Sequence, residues 1–150
     1  HANLGDALDK RGRYGEAIQQ YREALRIRPD DAFVYYRLAT DLDIAGRPDD
    51  AILYYKKSLQ LDPGNARVHS NLGVTLITRG NIVDAKKHFR AALQLDPDLG
   101  NAHYNLGLAL ASEGDLRGAV NHFSEALRLN PSDPEIQASL EKAMADLKAD

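Results

Sequence analysis

The sequence predicts an all-α solenoid of stacked helix-turn-helix repeats, closed at the C-terminus by one capping helix. Three observations predict it. Six columns of identical residues recur every 34 positions, each block carries two apolar stripes at helical spacing, and the last 17 residues form one more amphipathic segment. The columns are Leu4, Leu38, Leu72, Leu106; Leu8, Leu42, Leu76, Leu110; Gly12, Gly46, Gly80, Gly114; Ala17, Ala51, Ala85, Ala119; Leu25, Leu59, Leu93, Leu127; and Pro29, Pro63, Pro97, Pro131. They divide one domain, 1–150, into blocks 1–31, 32–65, 66–99 and 100–133 and a capping helix over 134–150. His1 stands in the column of Tyr35, His69 and His103, so the first block lacks three opening residues. With His rather than Met at position 1, the chain reads as a fragment of something longer.

In the third block the spacing predicts a first helix over about His69 to Arg79. Leu72, Gly73 and Leu76 make its stripe, and Gly80 ends it by taking the left-handed conformation. A second helix is expected over Ile82 to Leu95, with Ala85, Phe89, Ala92 and Leu93 as its stripe and Pro97 as its stop. Gly73 set against Ala85 and Ala92 lets the two backbones approach closely. No block can bury its stripe alone, so neighbours must stack. Two substitutions mark the second block: Pro48 falls in a first helical turn, where it is tolerated, and Asp41 stands in a column that holds Ala7 and Ala109. The tail carries a capping residue before Pro134, then Ile136, Leu140, Met144 and Leu147 on one face at helical spacing. Ile136, Leu140 and Met144 are expected to cover the edge of the fourth block near Phe123 and Leu127. The N-terminal block has no such cover.

Composition narrows the function. A chain of 150 residues with 43% apolar, 27% charged and 7% aromatic content is an ordinary single domain. Its 19 basic against 22 acidic residues, without a basic run, argue against a nucleic-acid partner. No apolar stretch reaches the length of a membrane span, and no signal peptide opens the chain, so insertion into a membrane is not expected and a cytoplasmic location is the default. With no cysteine there is no disulfide, thiolate metal site or cysteine nucleophile. Ser, His and Asp occur, but not at nucleophile-elbow or phosphate-loop spacing, so neither catalysis nor a cofactor is expected. The histidine columns (His1, His69, His103; His88, His122) repeat at a helix-packing distance of about 8–10 Å, too far to converge on one metal ion, and read as packing or surface residues.

These residues resemble the tetratricopeptide repeat (TPR) family: period 34, the Leu-Gly pair, the Gly turn, the Ala/aromatic second helix and the closing Asp-Pro or Asn-Pro. The resemblance covers 1–133 and implies a right-handed superhelix whose concave surface is lined by the first helices. It also implies a non-enzymatic protein-interaction function. The openings His1–Gly5, His69–Gly73 and His103–Gly107 are similar to the TPR superhelix of O-linked N-acetylglucosamine transferases and to bacterial TPR proteins. Two other readings therefore stay open: the substrate-recognition arm of a larger transferase, and a scaffold that self-associates end to end through the edge near Leu4 and Leu8.

Charge distribution selects the same face. Of 23 residues in the outward columns of the first helices six are charged, against fourteen of 24 on the second helices. Depletion of charge with aromatics present marks an interface core. The expected peptide-binding residues are Asn3, Phe33, Tyr36, Arg37, Arg67, Asn71, Tyr104, Asn105 and Leu108. Asn3, Asn71 and Asn105 share a column that Arg37 interrupts. The resemblance to the transferase array implies an asparagine ladder there, bonding a peptide backbone, although asparagine also serves as plain polar surface. A second TPR subclass clamps C-terminal carboxylates with two Lys, two Asn and one Arg. Ala2 and Asp6, or Tyr36 and Thr40, stand at its first Lys and Asn positions here, and only Arg67 fits, so that clamp is absent. Asp6, Asp9 and Asp43 against Val74, Ile77, Leu108 and Ala111 further on suggest a ligand with a basic segment followed by an apolar one; ordinary surface variation would give the same contrast.

Overall fold

A computed structural model describes residues 1–149. Among them lie nine helices and no strand: α1 (Ala2–Asp9), α2 (Tyr14–Ile27), α3 (Ala32–Ile44), α4 (Pro48–Leu61), α5 (Ala66–Thr78), α6 (Ile82–Leu95), α7 (Gly100–Ser112), α8 (Leu116–Leu129) and α9 (Pro134–Ala149). Consecutive helices pack as antiparallel pairs, the pairs stack in chain order, and α9 lies on α8. The expected end of the cap, Asp150, lies outside the described residues.

Each repeat closes its core in the same way. Ala17, Ala51, Ala85 and Ala119 are fully buried, and beside them sit Tyr21, Tyr55, Phe89 and Phe123, each at most 1% exposed. The close approach is forced by the aromatic: a Cβ added at Gly73 would lie 2.6 Å from Phe89 Cε1, and one at Gly107 equally close to Phe123. Only a hydrogen fits there. The turn after the first helix is equally uniform. Gly80 has φ of +75°, its N–H donates to the Ile77 carbonyl, and the Asn81 N–H donates to the Leu76 carbonyl. This pair of bonds satisfies the helix's last carbonyls and recurs at the other three turns.

Helix ends follow their capping chemistry. Asn65 accepts from the Val68 N–H, so α5 starts at Ala66, three residues before the expected His69; Asp31 does the same for α3. Pro48 is the first residue of α4 and leaves the helix whole. For α9, Asp133 accepts from the Glu135 and Ile136 N–H groups. The expectation for its apolar face needs correction: Ile136 and Ala143 are buried and Leu140 packs on the core, whereas Met144 is 42% exposed. Seven residues bring a helix back to within about 20° of its starting direction, and eight to about 80°. Ala143 therefore shares the face of Ile136, and Met144 does not. At the other end Leu4 is exposed, but Leu8, the second residue of the expected self-association edge, is buried.

Candidate functional site

The first helices approach one another directly, α1 with α3, α3 with α5 and α5 with α7, so they form the inner curve of the array and carry the expected binding columns. The nine expected residues divide along its length. At the N-terminal end Asn3 and Phe33 are exposed, and Tyr36 is half-buried with its ring tilted against Tyr55 and Phe33. Arg67 is exposed. Asn71 is half-buried and donates weakly to the Tyr36 hydroxyl at 3.5 Å. Asn105 and Leu108 lie together at the third and fourth repeats, where they join Val74, Ile77, Ile82, Ala109 and Ser112 around a recess of about 230 Å³. Val74, Ile77 and Leu108 are each close to 40% exposed, in a row across two adjacent helices.

Arg37 and Tyr104, also among the nine, bond to other parts of the protein. Arg37 reaches back across the first joint. Its Nε donates to Asp6 at 3.1 Å and its Nη2 to Asp9. The Tyr21 hydroxyl donates to the same Asp6 oxygen at 2.6 Å, and Thr75 donates to Asp43 at 2.9 Å. The acidic end of the groove is thus engaged by the protein's own donors rather than presented to a basic ligand. Burial and the bond to the Asp6 carboxylate push the Tyr21 hydroxyl well above the usual tyrosine range. Tyr104 turns toward the cap: its hydroxyl donates to Glu135 at 3.0 Å and lies 3.4 Å from Ser139 of α9, while its ring packs on Phe123. Its signal was in the tail, one of whose residues, Glu135, sits 31 positions downstream.

Sequence reasoning compared histidines down columns and missed the contacts between columns. His69 Nδ1 meets His88 Nδ1 at 3.0 Å, and His103 meets His122 at 2.9 Å. The Nε2 atoms of His69 and His103 contact the carbonyls of Pro63 and Pro97. A carbonyl only accepts, so those Nε2 atoms carry hydrogen, and the Nδ1 atoms of His88 and His122 must donate to the bare Nδ1 atoms opposite. The ring centroids of each pair are 5.2 Å apart, farther than the nitrogens by nearly the combined radii of the two rings. The rings therefore face head-on, as an N–H···N bond needs, not angled toward a shared ion. In the same two columns the first repeat pairs His1 with Gln20 at 2.7 Å, and the second stacks Tyr35 on Tyr54. Burial lowers the pKa of His88 and His122. Among the described residues no three potential metal-ligating side chains gather, and no helix is long and apolar enough to cross a membrane.

A TPR repeat model matches residues 5–40, and two tetratricopeptide repeat models match 44–87 and 71–134. No curated protein matches the chain in sequence. Among solved structures, MamA is 24% identical with a TM-score of 0.90, over 97% of this chain and 85% of that one. Pseudomonas aeruginosa PilF is 28% identical with a TM-score of 0.88, over 99% and 68%. YrrB, described as a TPR protein with an unusual peptide-binding site, is 20% identical with a TM-score of 0.84, over 98% and 76%. The 34-residue period, the buried Ala and aromatic columns, the glycine turns and these matches together show that the chain belongs to the tetratricopeptide repeat family, whose arrays are generally non-catalytic protein-interaction scaffolds.

Proposed function

We propose that the chain is a non-enzymatic scaffold that binds an extended segment of a protein partner in the concave groove, with the third and fourth repeats as the principal contact. The observation that carries this reading is the recess beside Leu108. Val74, Ile77 and Leu108 expose apolar surface in one row, and Asn105 supplies a donor and an acceptor at its rim. Buried apolar anchors with a few polar groups are how such pockets hold side chains. Asn71 stands one repeat before Asn105 and extends the polar edge, so the asparagine ladder is confined to these two residues and does not run through Arg37. Phe33, Tyr36 and Arg67 extend the contact surface toward the N-terminus. The reading agrees with the peptide-binding site attributed to YrrB.

A random-peptide display library selected against the chain provides ligands for the test. Affinities of the selected peptides are then measured on variants. Leu108→Asp and Asn105→Ala should weaken binding by about tenfold or more, as removal of central interface anchors does, while Arg22→Ala and Lys56→Ala on the second helices should leave it within about twofold. Loss of binding in the second pair with retention in the first would overturn the groove assignment.

A further inference from the structure

The repeats supply three versions of one joint, and the first is chemically unlike the others. Asp41, Thr75 and Ala109 occupy one column on α3, α5 and α7. They face Asp9, Asp43 and Ile77 on the preceding first helix. In the second joint the Thr75 hydroxyl donates to the Asp43 carboxylate at 2.9 Å. In the third, Ala109 and Ile77 line the same apolar recess. In the first, a carboxyl meets a carboxyl. Asp41 is 1% exposed, and neither of its oxygens has a hydrogen-bond donor.

The donors around it are already engaged. Arg37, on the same helix, directs its guanidinium to Asp6 and Asp9 of α1, and the Tyr21 hydroxyl of α2 goes to Asp6. Tyr55 of α4 donates to Thr40, and Asp43 is held by Thr75 of α5. By the register that sets Thr75 on Asp43, Asp41 faces Asp9. Two carboxylates in contact and out of water cannot both stay ionised, and a buried acceptor without a donor is costly. One proton between the two carboxyls would supply the missing donor, and because Arg37 already donates to Asp9, Asp41 is its seat.

We propose that the joint between the first and second repeats is a proton-controlled latch: the protonated Asp41 carboxyl donates to Asp9 and holds α1 against α3, and loss of that proton opens the joint and frees the α1–α2 pair from the other three repeats. Burial and the Asp9 charge push the Asp41 carboxyl up to about 7. A folded-state value raised above the unfolded one gives stability that is complete below about pH 4 and is lost as pH rises through about 7. The histidine pairs act in the opposite direction, since their lowered values destabilise on the acid side. The two effects are therefore separable by sign. Opening the joint would carry Asn3 away from Tyr36 and Phe33 and leave the Leu108 recess in place.

The test is hydrogen exchange on the full chain at pH 6 and pH 8, corrected for intrinsic exchange rates. Protection of α1–α2 amides should fall by about tenfold between the two, the ratio that linkage gives for a carboxyl moving from about 4 to about 7, while protection of α5–α8 amides, where the histidine pairs sit, should not fall. Asp41→Asn keeps the shape and donates without titrating, and Asp41→Thr copies the second joint. Both should abolish the fall. An equal fall in these variants, or none in the natural chain, overturns the latch. The carboxyl-carbon NMR titration of Asp41 in the unaltered chain is a second readout that needs no variant: a midpoint near 7 supports the latch and one near 4 overturns it.

Discussion

The capping helix offers a test of packing that two neighbouring side chains can decide. Ile136 is 6% exposed against the fourth repeat, and Met144, with the same volume class and two turns away, is 42% exposed. Truncating a buried Ile to Ala costs about 2–5 kcal/mol, and the low end applies here because a terminal helix can settle into the space. Met144→Ala removes little buried surface and should stay within about 0.5 kcal/mol. A terminal element of a repeat array opens by itself, so the readout is local hydrogen exchange rather than a single melting transition. A loss of about 2 kcal/mol accelerates exchange of α9 amides roughly thirtyfold, at about 1.4 kcal/mol per decade. Ile136→Ala should therefore show that acceleration over α9 and at Tyr104, whose hydroxyl is bonded to Glu135. Met144→Ala should change α9 exchange by less than about threefold. Equal acceleration by both variants would show that the inner face of α9 has been misassigned.

Two further outcomes follow from contacts in the repeats. Gly107→Ala gains about 1 kcal/mol of helix propensity but forces a methyl within 2.6 Å of Phe123. Overpacking of about 1–3 kcal/mol outweighs that gain, so the urea midpoint of the fourth repeat should fall; a rise would refute the close approach. The His69–His88 and His103–His122 bonds require a bare Nδ1 on His69 and His103, and burial lowers the His88 and His122 values. Their contribution is present above about pH 6.5 and lost as pH falls through the lowered values. Replacing His88 and His122 by Gln, the partner that His1 has at Gln20, should flatten stability between pH 7 and pH 5. An unchanged slope in urea titrations would show that the pairs do not titrate in that window.

The fold was legible because the repeat states each contact four times. The Ala17 and Gly12 columns need no tertiary information: one residue type at one interval allows one explanation. What the repeat could not state were the contacts made once. Arg37 interrupts a column of asparagines and so looks like a groove residue, but it faces Asp6 and Asp9 of a helix some 30 positions earlier. Nothing local to Arg37 reveals that pairing. The Tyr104 contacts are illegible for the same reason, since Glu135 and Ser139 belong to a tail outside the period. Met144 was misjudged by one position of helical phase: four-residue steps from Ile136 drift away from the buried face, and Ala143, small and easily overlooked, returns to it. The histidine contacts were readable in principle. The columns of His1 and Gln20 lie 19 residues apart, and in every repeat both hold residues able to pair, a match that emerges only when one column is compared with another.

The proposed partner site in the groove of the third and fourth repeats can be located in solution. The most direct measurement is a map of amide shift changes on the labelled chain as a display-selected peptide is added. Changes should concentrate at Asn71, Val74, Ile77, Asn105 and Leu108, with those on the outer faces of α4 and α6 near baseline. Changes concentrated at Lys56, Lys87 and Arg90, with the Leu108 recess silent, would contradict it.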